Sequence, residues 1–135
     1  MGYSIRQLSG SFLIKKKNMT KALRAVKALK GKETIKDCGG AHFAWVSRDY
    51  LEAKTLKEAL IDWRWNLEID PKSGDGYDLY FDGEKSGDDE ILFRAIAPFV
   101  EHGEIEMVGE DDCRWRWLFK NKKFYEQAGH IVYGE

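Results

Sequence analysis

The chain of 135 residues is 43% hydrophobic and 13% aromatic, which excludes a disordered protein and fits one domain, residues 1–135, with its own core. Its formal net charge of −1 conceals a separation of charge. Ten Lys and Arg against one acid, Glu33, give residues 1–36 a net charge of +9, whereas 12 bases against 22 acids give residues 37–135 a net charge of −10. This asymmetry predicts an anionic partner for the basic end or a basic partner for the rest, unless the two parts neutralise each other within the fold.

The sequence also bears on location. No apolar run is long enough to cross a bilayer, and the N-terminal residues lack the pattern of a secretory signal. Two cysteines, Cys38 and Cys113, lie far apart in the sequence. We therefore expect a cytoplasmic protein that makes no membrane contact, with both cysteines as free thiols.

The first predicted strand covers residues 3–14, with a bulge or bend at Gly10. A helix over residues 18–30 follows, because its apolar residues recur on one face at 100° per residue. Lys17, Lys21 and Arg24 lie on the opposite face, where we expect them to be exposed. Together with Lys27 they form the predicted site for an anion or a nucleic acid.

A short strand is predicted at residues 41–46, and a second helix begins at the capping box Thr55-Leu56-Lys57-Glu58. Pro71 is expected to end this helix by about Ile69. The core stripe of this helix consists of Leu56, Ala59, Leu60, Trp63 and Leu67.

Trp65 lies about 160° around this predicted helix from the centre of the core stripe, beside Ile61 and next to Arg64. Exposed aromatic residues with arginine nearby are typical anchors of protein interfaces. We therefore predict that Trp65, Ile61 and Arg64 bind a partner protein. The alternative is that residues 31–54 or the C-terminal tail cover this side of the helix and make Trp65 part of the core.

After a turn at residues 71–76, a strand is predicted at residues 77–82 and a third helix at about residues 88–102, with Pro98 on its polar side. The acidic residues of this part of the chain are Asp75, Asp78, Asp82, Glu84, Asp88 and Asp89. Their spacing matches neither an EF-hand loop nor a nuclease metal site. They are predicted to form a solvated rim that could meet a basic partner.

The last third of the chain is predicted to be an antiparallel meander, because opposed residues must share a face. A loop of Glu110-Asp111-Asp112 sets the register and needs Asp112 in a left-handed conformation. The opposed pairs are then Met107 with Trp115, Ile105 with Trp117 and Glu106 with Arg116. A second turn at Asn121-Lys122 returns the chain through a further strand, and residues 130–133 are expected to add an edge strand.

The run Arg114-Trp115-Arg116-Trp117 combines the residue types of a nucleic-acid-binding surface. Alternation along a strand places the indole rings and the guanidinium groups on opposite faces, so they cannot form one stacking platform. The pattern favours tryptophans in the core and Arg116 paired with Glu106 across the strands.

A resemblance to a known group of proteins rests on four segments. They are Gly83-Glu84-Lys85, Asp88-Asp89-Glu90-Ile91-Leu92-Phe93, Ala97-Pro98-Phe99-Val100 and Gly109-Glu110-Asp111-Asp112-Cys113-Arg114-Trp115-Arg116-Trp117. Over roughly the last hundred residues the chain resembles small uncharacterised proteins of bacteria and their phages or prophages. The resemblance implies an accessory protein of a mobile element and transfers no activity.

Catalytic and metal sites are weakly indicated. Cys38 and His42 could act as a thiol nucleophile and its base, but one pair four residues apart is a poor signal for nucleophilic catalysis. The cysteines and histidines lack the paired spacing of zinc ligands, so we expect neither metal nor cofactor.

The predicted fold is a single α+β domain of order β-α-β-α-β-α-β-β-β, with three helices packed on a mainly antiparallel sheet. The predicted function is non-enzymatic: a small intracellular binding or inhibitor protein that acts through charged surfaces and has a protein partner. A nucleic-acid-binding accessory protein that uses the basic face of the first helix is the alternative. A small enzyme with a site at Cys38 and His42 comes third.

Overall fold

The computed structural model describes residues 2–37 and 40–128. The strands are β1 (Ile5–Leu13), β2 (Ile35–Asp37), β3 (Gly40–His42), β4 (Trp65–Ile69), β5 (Gly76–Phe81), β6 (His102–Gly109), β7 (Arg114–Lys120) and β8 (Lys123–Ala128). The helices are α1 (Met19–Lys27), α2 (Leu56–Asp62) and α3 (Asp89–Ile96), with short 3₁₀ turns at Lys16–Asn18, Arg48–Glu52 and Ala97–Phe99. This arrangement confirms the predicted α+β class, the three helices and the C-terminal meander. No helix in the described ranges is long and apolar enough to span a membrane.

Four antiparallel strands form the main sheet in the order β1-β6-β7-β8. The predicted register of β6 and β7 is confirmed, since Met107 faces Trp115 and Ile105 faces Trp117. Asp112 has a φ of 63° in the loop between them, as the register required. The Asn121-Lys122 turn is also confirmed; both residues have positive φ, which matches the right-handed twist of a two-residue hairpin.

The hairpin of β4 and β5 extends this sheet beyond β1 without a continuous ladder. At one end the amide of Ile5 donates to the loop after β5, and at the other Ile14 exchanges two backbone hydrogen bonds with the first residue of β5. Between these points the Gln7 side chain, rather than the backbone of β1, bonds to the backbone of β5. Its Nε2 donates to the Leu79 carbonyl at 3.2 Å, and its Oε1 accepts from the Phe81 amide at 2.7 Å. β4 and β5 thus form a separate two-stranded sheet that lies beside β1 and is joined to it by these contacts.

The helices and the sheet enclose one aromatic core. Helix α1 contacts both other helices, α2 contacts β4, and α3 contacts β8. Phe93 of α3 lies at the centre, with its ring centroid 5.0–5.8 Å from those of Trp65, Trp117, Phe119 and Phe124. Edge-to-face and tilted pairs of this kind add to the stabilisation from burial alone.

The predicted second helix is wrong beyond Asp62. The capping box is confirmed, since the Glu58 amide donates to Thr55 Oγ1 and the Glu58 carboxylate accepts from the backbone of the preceding loop. Arg64 then takes a φ of 73°, which a helix cannot accommodate, and β4 follows. Trp65 and Leu67 are buried two residues apart, which is the pattern of a strand. The spacing of four residues between Trp63 and Leu67 also fits a helix, but the chain forms the strand.

Three smaller predictions also need correction. The irregularity of β1 lies between Gln7 and Ser9, not at Gly10. The strand predicted at residues 41–46 ends at His42, because the chain turns through Trp45 with a φ of 62°. The third helix ends at Ile96 in a 3₁₀ turn that contains Pro98, which lies exposed on the polar side as predicted. The edge strand predicted at residues 130–133 lies outside the described residues.

Candidate binding surface

The exposed face of α1 carries the predicted cations. Ala22 and Val26 are buried, so helical periodicity turns Lys21 and Arg24 outward. Lys17 belongs to the 3₁₀ turn Lys16–Asn18 just before α1, and all three cations are exposed as predicted. None of the three side chains makes a hydrogen bond or ion pair within the described parts of the chain. Lys27, on the same helix, is half-buried. Their role in binding an anion stays a prediction.

The charge of the first 36 residues is largely unneutralised. Of their ten bases, Lys15 alone forms an ion pair in residues 2–37 and 40–128, with Asp75 at 3.7 Å. Glu33, the one acid of this segment, is buried, accepts a hydrogen bond from the Gly31 amide and pairs with Arg48 at 3.3 Å. Burial alone would raise the pKa of Glu33, but the backbone amides of Gly31 and Glu33 and the charge of Arg48 lower it, so Glu33 stays ionised and paired with Arg48.

A groove of about 390 Å³ lies between α1 and the start of α2. Its apolar lining comes from Met19 and Leu23 of α1, Leu56 of α2 and Ile69 at the end of β4. The polar residues that complete the lining are Lys16, Thr20, Lys54, Thr55 and Lys57. The groove therefore combines an apolar lining with lysines from the 3₁₀ turn before α1 and from the start of α2. We name this 3₁₀ turn, α1 and the groove together the basic surface.

The lysines around the groove have no acidic partner. The ammonium groups of Lys16 and Lys54 make no ion pair in the described residues, and that of Lys57 donates to two neutral oxygens, Asn66 Oδ1 and the Leu67 carbonyl. Two carboxylates beside these lysines bond groups other than their ammonium groups. Asp75 accepts from the Lys16 backbone amide and pairs with Lys15, and Glu58 accepts from the Lys54 backbone amide. The basic surface is thus suited to an anionic partner.

The predicted interface at Trp65 is wrong. Trp65 is 0% exposed, because it points from β4 into the aromatic core. Arg64 is half-buried, and only Ile61, at 52%, is well exposed. The exposed tryptophan is Trp45, at 50%. Sequence reasoning missed Trp45 because it lies in an irregular turn, where no periodicity indicates which way a side chain points.

Arg64 forms a buried ion pair in place of an interface. It donates to Asp89 Oδ1 at 2.8 Å and to the carbonyl of Lys85, while Trp65 Nε1 donates to the same Asp89 oxygen at 2.9 Å. The Gly87 amide approaches the other carboxylate oxygen at 3.4 Å. Burial raises the pKa of Asp89, and Arg64 and Trp65 offset only part of that rise. These contacts fasten the corner between α2 and β4 to the first turn of α3.

The predicted acidic rim is wrong at Asp89, which is buried. Of its other members, Asp75, Asp78 and Asp88 are half-buried and Asp82 and Glu84 are exposed. Asp88 Oδ2 accepts from the Thr34 hydroxyl at 2.7 Å and from the Ala44 amide at 3.2 Å. Both carboxylates therefore hold the loop before α3 in place. Among the described residues, no group of three or more His, Cys, Asp and Glu side chains is arranged to hold a metal ion.

The remaining sequence candidates are separated by the fold. Cys38 lies outside the described residues, and His42 is half-buried with Nδ1 3.2 Å from the Phe43 carbonyl oxygen. Trp117 is buried as predicted. Arg116 faces Glu106 in register but forms its ion pair with Glu104, at 2.8 Å, because the long side chain reaches diagonally across the strands.

Comparison of the chain with known protein families, with curated proteins and with solved structures found no match. The basic surface is accordingly interpreted from its own chemistry.

Proposed function

We propose that the protein is a small non-enzymatic binding protein, or inhibitor, that docks an acidic protein on the basic surface. The observation that carries the proposal is that Lys17, Lys21 and Arg24 are exposed, adjacent and without an acidic partner in the described residues. Cations held in this way raise the association rate with an acidic surface and restrict the choice of partner. The resemblance of roughly the last hundred residues to small proteins of bacteria and their phages or prophages suggests a cytoplasmic accessory protein of a mobile element as its setting.

A nucleic acid is the second candidate partner. It is favoured by the first turn of α1, which contains no acid that would repel phosphate groups. It is disfavoured by the lining of the groove, which consists of aliphatic, threonine and lysine side chains and offers no aromatic ring on which a base could stack. An acidic protein needs no such ring, and we therefore rank it first.

The test is a triple charge reversal, Lys17→Glu, Lys21→Glu and Arg24→Glu. Because these side chains are exposed and unpaired, the variant is expected to fold with unchanged far-UV circular dichroism. The matched control places the same three changes of charge at Lys120, Lys122 and Lys123, which are exposed around the turn between β7 and β8.

Affinity capture from nuclease-treated host lysate would then be compared at low and high salt. The proposal expects a protein that the wild type and the control retain at low salt and the triple variant loses. Capture that is indifferent to the triple change would contradict it. Fluorescence anisotropy with labelled single-stranded and duplex oligonucleotides tests the second candidate, for which affinity must fall steeply with salt.

A further inference from the structure

We infer that the groove between α1 and α2 receives an apolar side chain of the partner, set in an acidic segment of its chain. This inference rests on the proposed function and deepens it, because it assigns the groove a role that charge alone does not require. It names the partner chemistry as an acidic peptide segment with an aliphatic residue at its centre.

The groove has an apolar lining and is large enough to receive an inserted aliphatic side chain. Met19, Leu23 and Ile69 are half-buried and pack on the core, so the apolar lining is held by the folded protein. A concave apolar space of about 390 Å³ exceeds the volume of one aliphatic side chain and is open enough to admit it from solvent. A flat membrane surface would not fill such a concavity.

The charges around the groove favour acids on both sides of that side chain. Lys16 lies on the α1 side, whereas Lys54 and Lys57 belong to the start of α2. The positive charge continues beyond the groove through Lys17 of the same 3₁₀ turn and Arg24 of α1. Carboxylates that flank a central aliphatic residue would therefore meet lysines in both directions along the peptide.

The direct test uses two synthetic peptides that differ at one position. Each contains seven residues of alternating Asp and Glu, with Leu at the centre of one and Ser at the centre of the other. Binding is measured by fluorescence anisotropy of the labelled peptides. The leucine peptide is expected to bind roughly tenfold more tightly, because burying one leucine side chain supports a ratio of that order.

Two tryptophan substitutions test whether the leucine side chain of the peptide enters the groove. Thr20→Trp adds bulk at an exposed residue that lines the groove, and it is expected to abolish the advantage of the leucine peptide. Ala28→Trp adds the same side chain just after α1, at an exposed residue outside the groove, and is expected to preserve it. Neither substitution changes the charge of the protein.

Three outcomes would overturn the inference. Equal binding of the two peptides would show recognition by charge alone, and the proposed function would stand without an apolar insertion. An advantage of the leucine peptide that survives Thr20→Trp would place its side chain elsewhere. Failure of both peptides to bind at about 1 mM would refute the acidic segment itself, whereas the proposed function is judged independently by charge reversal and capture.

Discussion

Replacing Trp65 by alanine tests how far the core depends on one buried indole. The ring lies 5.1 Å from Phe81, 5.0 Å from Phe93 and 6.0 Å from Trp117, measured between centroids. Truncating a buried tryptophan costs about 3–5 kcal/mol through lost burial and the cavity left behind. The substitution also removes the hydrogen bond to Asp89, whose lost partner adds about 1–3 kcal/mol. The sum is comparable with the whole stability of a small domain, about 5–15 kcal/mol.

Trp65→Phe provides the measurable comparison. It retains most of the apolar ring but cannot donate to Asp89, so its expected cost is about 1–3 kcal/mol plus a smaller packing loss. Both variants would be followed by urea denaturation with far-UV circular dichroism, since tryptophan fluorescence itself is altered. The reasoning would be refuted if Trp65→Ala lowered the free energy of unfolding by less than about 1 kcal/mol at an unchanged m-value, which is the outcome expected of an exposed residue.

Gln7→Ala removes the side-chain hydrogen bonds between β1 and β5, so two backbone groups of β5 lose their partner. The free energy of unfolding is expected to fall by about 1–3 kcal/mol, and an unchanged midpoint of urea denaturation would contradict this. Lys122→Gly is expected to raise Tm, since relief of a φ of 63° stabilises the turn by about 1 kcal/mol. Burial and the hydrogen bond with Glu126 raise the pKa of Glu90, so wild-type stability should fall as pH rises from the ordinary glutamate pKa through the raised one. Glu90→Gln should flatten that decline in urea midpoints measured between about pH 4 and pH 7, and parallel profiles would exclude a contribution from this pair.

The parts of the fold that follow from the sequence are those specified by short-range rules. The register of β6 and β7 follows from two local requirements. The tryptophans of β7 must face the apolar residues of β6, and the loop needs a left-handed residue at Asp112. The apolar face of α1 likewise determines which way Lys21 and Arg24 point. The basic part of the candidate site was therefore predictable, whereas the groove was not, because its lining comes from α1, α2 and β4, which are distant in sequence.

The errors arise where one local pattern fits two structures. Residues 63–67 satisfy a helical stripe through Trp63 and Leu67 and a strand through Trp65 and Leu67. The choice depends on the pairing of β4 with β5 and on the ion pair between Arg64 and Asp89, neither of which periodicity reveals. The prediction of an exposed Asp89 failed for the same reason. Acids are common in the exposed first turn of a helix, and Asp89 is buried only by its tertiary contacts with Arg64 and Trp65.

The ion pair between Arg64 and Asp89 restricts which substitutions this sequence can accept during evolution. Removing Arg64 leaves the buried Asp89 carboxylate without its counterion, a loss of about 3–5 kcal/mol, and removing Asp89 leaves the half-buried Arg64 unpaired. Replacing both residues of an ion pair by apolar residues of similar volume is often neutral or stabilising. Two substitutions are needed, however, and after the first one the remaining charged residue has no partner. The two positions are therefore expected to change together among related sequences, and Trp65 is expected to accompany them, because its indole shares the same carboxylate oxygen.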